Sequence, residues 1–261
     1  MENVVVLALL ATLGTWALTA LGAATVFCFR NPNPKTLNLM LGFASGAMIA
    51  ASFWSLLQPA IERAEATLAL PSWLVVSLGF LSGAIFMWLS DKIVTRVRRE
   101  SACQNKKRTN RILLLVLSIT LHNIPEGLAV GFAFGAAAIS GEPSAYFAAL
   151  GLAIGMSIQN FPEGAAIALP MRTATGSKHR AFLYGMGSGA IEPIAATLGF
   201  FLSTELTTLQ PWFLGFAAGA MIFVVAEDLI PDSNINEYPH TGTWGVMAGF
   251  VIMMVLDVAL G

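Results

Sequence analysis

His122 and Glu126 stand four residues apart, one turn along a helix, with Asn123 beside the histidine. Gln159, Asn160 and Glu163 repeat the arrangement further along the chain. Each set ends in a proline, a glutamate and a glycine, as His122-Asn123-Ile124-Pro125-Glu126-Gly127 and as Gln159-Asn160-Phe161-Pro162-Glu163-Gly164. Two such helices facing each other present one imidazole, two carboxylates and three amides. Imidazole with carboxylate suits zinc and other divalent transition metals, whereas amides alone are weak ligands. Pro125 and Pro162 remove backbone donors in mid-helix, which bends the helix and frees carbonyl oxygens toward the same space. Two glutamates shared across facing helices can bridge a two-metal site. Glu192, just before Pro193, stands either as a further ligand or as a support behind the ligands. Met48 can offer a thioether to a soft metal or simply pack.

The elements that carry these residues are set by composition. The chain has 261 residues, 56% hydrophobic and only 11% charged, with a mean hydropathy of +0.71. A soluble domain carries about 25% charged residues, so a single water-solvated globule is excluded. Apolar runs long enough to cross a bilayer, about 20 residues each, fall near 4–29, 37–60, 72–90, 111–139, 144–169, 181–203, 211–230 and 241–260. The expectation is therefore an all-α, polytopic membrane protein of eight transmembrane helices, one transmembrane domain over 1–261. The first run is too long for a signal-peptide core and is read as a span. The longest polar break, about 92–111, is expected to be a basic cytoplasmic loop.

Within this frame Glu126, Glu163, Glu192, Glu227 and Asp228 fall inside or at the edge of spans 4 to 7. A carboxylate near a helix centre costs roughly 2.5–3.5 kcal/mol on insertion scales. Residues 112–171 contain no lysine or arginine to pair with Glu126 and Glu163. A cation from solution is then the natural counter-charge. Glu227 and Asp228 lie near a span end, where they are either a solvated terminus or a relay for a departing metal. His179 and His240 are expected at the surface, and Asp257 at an interface near the end of span 8.

Lysine and arginine set the orientation. With the N-terminus outside, loops 1–2, 3–4 and 5–6 hold thirteen of the fourteen basic residues, and only Arg63 is external. Both termini are then outside. Internal likeness agrees. Residues 41–49 of span 2 match residues 214–222 of span 7 at eight of nine positions. Spans 2 and 7, like spans 4 and 5, run in opposite directions, which is the mark of inverted-topology repeats meeting at a midplane site. Glycines at four-residue spacing, such as Gly42 and Gly46, allow close helix packing in lipid.

Taken together, these residues resemble the ZIP (Zrt/Irt-like protein) family of divalent metal transporters, in particular its prokaryotic GufA-like branch. The resemblance covers the whole chain and rests on the paired x-N-x-P-E-G motifs of spans 4 and 5. It implies uptake of zinc, and often cadmium, iron or manganese, into the cytoplasm, with the metal as transported substrate and no prosthetic group. It implies a binuclear site, with His122, Glu126, Gln159, Glu163 and possible Met48 around one metal, and Asn123, Glu126, Asn160, Glu163 and Glu192 around the other. It further implies an elevator motion of spans 1, 4, 5 and 6 against spans 2, 3, 7 and 8. Many members carry histidine where Gln159 stands, and some carry aspartate where Asn160 stands.

The resemblance places the protein in a cell membrane, the bacterial inner membrane, with the lipid bilayer and a divalent metal ion as partners; the glycine-rich helix faces either join a homodimer or pack within one chain. An intramembrane metalloenzyme is the first competing reading, but catalysis favours an H-E-x-x-H arrangement that this chain lacks. A metal-gated channel or sensor is the second. Cys28 and Cys103 are far apart and form no disulfide framework. The basic cluster has no interleaved aromatics, so nucleic acid is not an expected partner.

Overall fold

Asn33 accepts a hydrogen bond from the Lys35 amide at 3.0 Å, and Pro34 takes the first helical position, so the second helix starts at that pair. The computed structural model describes residues 2–29, 33–103, 108–233 and 238–260; the side chains of 2–3, 97–103, 108–119, 122, 170, 173–174, 239 and 260 lie outside the description. Helix α1 is Glu2–Cys28. Helix α2 runs Pro34–Ala51, through a π-helical turn Ser52–Leu57, into Gln58–Thr67. Then come α3 (Ser72–Cys103), α4 (Arg108–Ser140) and α5 (Pro143–Thr175). Helix α6 is broken into Lys178–Gly189 and Glu192–Glu205. Helix α7 follows a 3-10 turn, with Gln210–Val224, a π-helical turn Val225–Leu229 and Ile230–Ser233. Helix α8 is Pro239–Leu260. No strand occurs among the described residues, and the all-α expectation is met.

Five helices among the described residues are long and apolar enough to cross a membrane: Val4–Cys28, Pro34–Thr67, Ser72–Arg96, Thr207–Ser233 and His240–Ala259. Helices α4 and α5 have 33 residues each, about 50 Å of helix against a hydrocarbon core of about 30 Å. The polar break expected at 92–111 is largely helix instead. Helix α3 continues to Cys103 and α4 starts at Arg108, with 104–107 outside the described residues. Residues 92–103 contain neither glycine nor proline, so nothing in the backbone stops the helix at the first charge.

The side chains are distributed as lipid requires. Leu10, Trp73, Ile85 and Trp244 are exposed, while Ala44, Ala50, Ala217, Ala218 and Ser45 are buried. Lipid tails are as apolar as leucine, so close backbone packing of small residues holds helices together. A Cβ on Gly46 would strike the Val246 carbonyl of α8, and one on Gly219 would strike the Phe80 carbonyl of α3. Reciprocally, Gly249 lies on the Phe43 carbonyl and Gly83 on the Phe216 carbonyl. The α2–α8 and α7–α3 pairs therefore interlock in matching register. This register aligns Gly79, Gly83, Met87 and Asp91 of α3 with Gly245, Gly249, Met253 and Asp257 of α8, four residues apart in both.

The other four helices match in the same way. Gly164 of α5 lies on the Thr19 carbonyl of α1, as Gly127 of α4 lies on the Glu192 carbonyl of α6. Both π-helical turns begin three residues after the repeated segments of α2 and α7, and a proline, Pro59 or Pro231, follows each by two residues. Proline has no N–H for the carbonyl one turn back and its ring collides with it, which the wider turn relieves. The helices pack as two groups. Helices α1, α4, α5 and α6 lie against one another, as do α2, α3, α7 and α8, and the groups meet chiefly through α2 with α5 and α4 with α7.

Candidate metal centre

Pro193 decides where Glu192 points. With no N–H and a ring that collides with the Gly189 carbonyl, it breaks α6 and makes Glu192 the first residue of the second half-helix. The Glu192 side chain is buried and accepts four hydrogen bonds. Thr15 Oγ1 and Asn160 Nδ2 each donate to Oε2 at 2.7 Å, Thr19 Oγ1 to Oε1 at 3.3 Å, and Asn123 Nδ2 to Oε1 at 3.4 Å. Residues from α1, α4 and α5 are thus gathered on one carboxylate of α6.

A second link crosses between the repeated motifs. Gln159 of α5 donates from Nε2 to Glu126 Oε1 of α4 at 3.2 Å. Because a carboxylate only accepts, Asn123, Gln159 and Asn160 turn their NH2 groups toward glutamates, and their oxygens face elsewhere. Asn123 Oδ1, Gln159 Oε1, Asn160 Oδ1 and Glu126 Oε2 are buried with no hydrogen-bond partner. Buried acceptors without donors are costly, and a cation is the kind of group that could satisfy four of them on two adjoining helices. Among the described residues no three His, Cys, Asp or Glu side chains converge closely enough to hold a metal by themselves. Three of the four unpaired acceptors are amide oxygens.

The expected site residues divide as follows. Asn123 and Asn160 join Glu192 in one hydrogen-bonded cluster, and Gln159 joins Glu126 in a second. Glu163 is buried on α5 beyond Asn160 and outside these hydrogen bonds. Met48 is buried in the main apolar core with Ala129 and Met156. His122 lies in α4, but its side chain is outside the described residues. Glu227 and Asp228 lie in the π-helical turn of α7, with Glu227 exposed and Asp228 half-buried. His179 and His240 are exposed, as expected.

With this geometry in view, likeness to known proteins is decisive. A family model of the ZIP zinc transporters matches residues 3–112 and 99–257. The chain belongs to the ZIP zinc transporter family. It is 38% identical to zinc transporter ZIP11 of Xenopus tropicalis, over 97% of each chain. Identity is also 38% to zinc transporter ZIPB of Bordetella bronchiseptica, over 94% of this chain and 79% of that one. To zinc transporter GufA of Myxococcus xanthus it is 34%, over 97% and 98% respectively. This ZIP family member is thus an integral, multi-pass membrane protein of a family of transporters, not enzymes.

Two features of this family member go beyond the sequence reading. Thr12, Thr15 and Thr19 are fully buried on one face of α1, and their three- and four-residue spacing in an apolar helix is the signal that marks an inward face. Asp257, expected at an interface near the end of span 8, accepts a 2.7 Å hydrogen bond from Ser55 of the π-helical turn of α2, and its Oδ2 is buried without a partner. Both residues line a cavity of about 680 Å³ with Gln58, Glu62 and Arg63 of α2, Ala133 of α4 and Ala149 of α5. Ala133 stands about two turns along α4 from Glu126, and Val130, between them, is fully buried.

Proposed function

We propose that this protein carries divalent transition-metal ions, zinc foremost, across a cell membrane into the cytoplasm. Cadmium, iron and manganese belong to the same range of substrates. The metal is held between α4 and α5, in a binuclear arrangement that shares Glu126 and Glu163, with His122, Gln159 and Met48 toward one ion and Asn123, Asn160 and Glu192 toward the other. One observation carries this reading: four buried oxygen acceptors without a donor lie on facing helices that contain no lysine or arginine between residues 112 and 171. Removal of a lone cation would leave these acceptors unsatisfied, which fits transient occupation by cargo.

The helix grouping supports elevator-type alternating access. The acceptors lie on α4 and α5, inside the group of α1, α4, α5 and α6, while α2, α3, α7 and α8 form the other body. Basic residues at 30–35, 92–111 and 172–180 support an orientation with those loops in the cytoplasm and both termini outside. The cavity at Asp257 then opens outward, and the chain acts as one transmembrane domain. A homodimer through lipid-facing surfaces is compatible with this arrangement.

The test is metal accumulation in sealed proteoliposomes, comparing Zn2+, Cd2+, Mn2+ and Fe2+ for wild type and Glu126→Ala. Saturable accumulation that disappears in the variant supports a carrier. Accumulation that rises linearly with metal concentration supports a channel instead. No accumulation of any metal by folded, metal-binding protein refutes transport.

A further inference from the structure

The matched contacts of Gly127 and Gly164 make Thr19 of α1 the repeat counterpart of Glu192 of α6, since each glycine lies on the carbonyl of one of them. The two counterparts touch, Thr19 Oγ1 to Glu192 Oε1 at 3.3 Å. At this level one half of the molecule supplies a carboxylate and the other a hydroxyl. Thr15, one turn away on the same face, bonds the second carboxylate oxygen at 2.7 Å. Both threonine hydroxyls also lie near a backbone carbonyl of their own helix, Thr15 near Thr12 O at 2.8 Å and Thr19 near Thr15 O at 3.3 Å. A hydroxyl has one proton, and the charge-assisted bond to a carboxylate is the stronger use of it.

We infer that Thr15 and Thr19 are positioning residues for the metal centre, fixing the Glu192 carboxylate so that it turns the Asn123 and Asn160 amide oxygens toward the cation. The inference rests on the transport reading given above. All four donors to Glu192 are neutral, and each asparagine has its oxygen buried without a partner while its nitrogen is committed to Glu192. Were the carboxylate free to rotate, either asparagine could reverse its amide and present N–H groups to the metal. The α1 hydroxyls act behind the ligands and do not touch the metal. Outer partners of this kind change metal affinity by about 10–100-fold when removed.

The test measures Zn2+ uptake against concentration in proteoliposomes and Zn2+ binding at equilibrium in detergent, using Thr15→Val, Thr19→Val, the double variant and Thr15→Ser. Valine keeps the shape and removes the hydroxyl; serine keeps the hydroxyl. The double valine variant is expected to raise KM and Kd for Zn2+ about tenfold with a much smaller change in maximal rate. Thr15→Ser is expected to keep KM within about twofold of wild type, on the same reasoning that only the hydroxyl matters. In a Glu192→Gln background, Thr15→Val should add little, because the carboxylate it steadies is gone. Unchanged KM and Kd in the double variant overturn the inference, as does an equal rise in Thr15→Ser, which would mark a packing effect. If the double variant does not elute as folded protein, the two single valine variants decide by the same criteria. Wild-type protein that binds Zn2+ without transporting it refutes the transport reading, and the Kd comparison still decides the role of the threonines. Wild-type protein that neither binds nor transports Zn2+ overturns both.

Discussion

Gln159 Nε2 and Glu126 Oε1 lie 3.2 Å apart across the α4–α5 contact, joining the two copies of the repeated motif by a hydrogen bond between non-equivalent members. The bond turns Gln159 Oε1 away from its donor side and leaves Glu126 Oε2 without a partner, both buried. Replacing Glu126 or Glu163 with alanine removes charge from both proposed metal positions and is expected to reduce Zn2+ accumulation to background. Asn123→Ala and Glu192→Ala remove one donor or one support, and a partial loss of about tenfold in affinity is expected. Initial uptake rates across a zinc series check this ranking. A wild-type rate in Glu163→Ala is the result that sinks the shared-carboxylate arrangement.

The same pair sets an expectation about metal choice. An amide oxygen at Gln159 is a harder donor than an imidazole nitrogen, and imidazole favours zinc over manganese. Gln159→His is expected to raise the ratio of Zn2+ to Mn2+ uptake by about tenfold, a difference of ~1.4 kcal/mol. Competition between the two metals in one proteoliposome preparation measures the ratio directly. A ratio that stays flat would show that the Gln159 side chain does not reach the ion.

The motif pair was legible in sequence because polar residues at fixed spacing are conspicuous in apolar helices. The α1 threonines carried a weaker signal. A threonine in a lipid-embedded helix can satisfy itself on its own backbone, and only the three-dimensional contact shows Thr15 and Thr19 reaching Glu192. The α3–α8 likeness was present in the spacing of Gly79, Gly83, Met87 and Asp91 against Gly245, Gly249, Met253 and Asp257. It was hidden by lipid-facing residues that are free to differ. The π-helical turns could not be read directly, because they depend on how a chain accommodates Pro59 and Pro231 while keeping both flanking segments packed. Charges at 92–103 suggested a loop, whereas helix propensity carried α3 onward.

The matched glycine contacts predict matched consequences. Gly46→Leu would drive a side chain into the Val246 carbonyl of α8, and Gly219→Leu into the Phe80 carbonyl of α3. Backbone cannot retreat as a flexible side chain can, so each should destabilise by at least about 1–3 kcal/mol, and by similar amounts. Gly14, in contrast, has nothing within 4 Å of an added Cβ. Gly14→Ala should be neutral or stabilise by up to about 1 kcal/mol through helix propensity. Thermal unfolding of the detergent-solubilised protein compares all three. Loss of stability at Gly46 with none at Gly219 would contradict equivalence of the two helix pairs.

A polar chain joins the two helix groups at the cavity end. Arg63 Nη1 of α2 donates to Gln210 Oε1 of α7, Gln210 Nε2 donates to Ser203 Oγ of α6, and Ser203 Oγ donates to the Phe132 carbonyl of α4 at 3.3 Å. Gln210 and Ser203 are both buried, so water cannot readily replace a missing partner. Gln210→Leu keeps similar volume but deprives both Arg63 and Ser203 of their contact, and a loss of about 1–3 kcal/mol is expected. Ser203→Ala removes the last link and should cost about 1 kcal/mol. Because the groups form one network, the double variant should lose less than the sum of the single losses. Unfolding midpoints of the two single variants and the double variant measure the coupling. Strict additivity would mean that Gln210 and Ser203 stabilise the fold independently, and that the chain does not tie α2 and α7 to α4 and α6 as a unit.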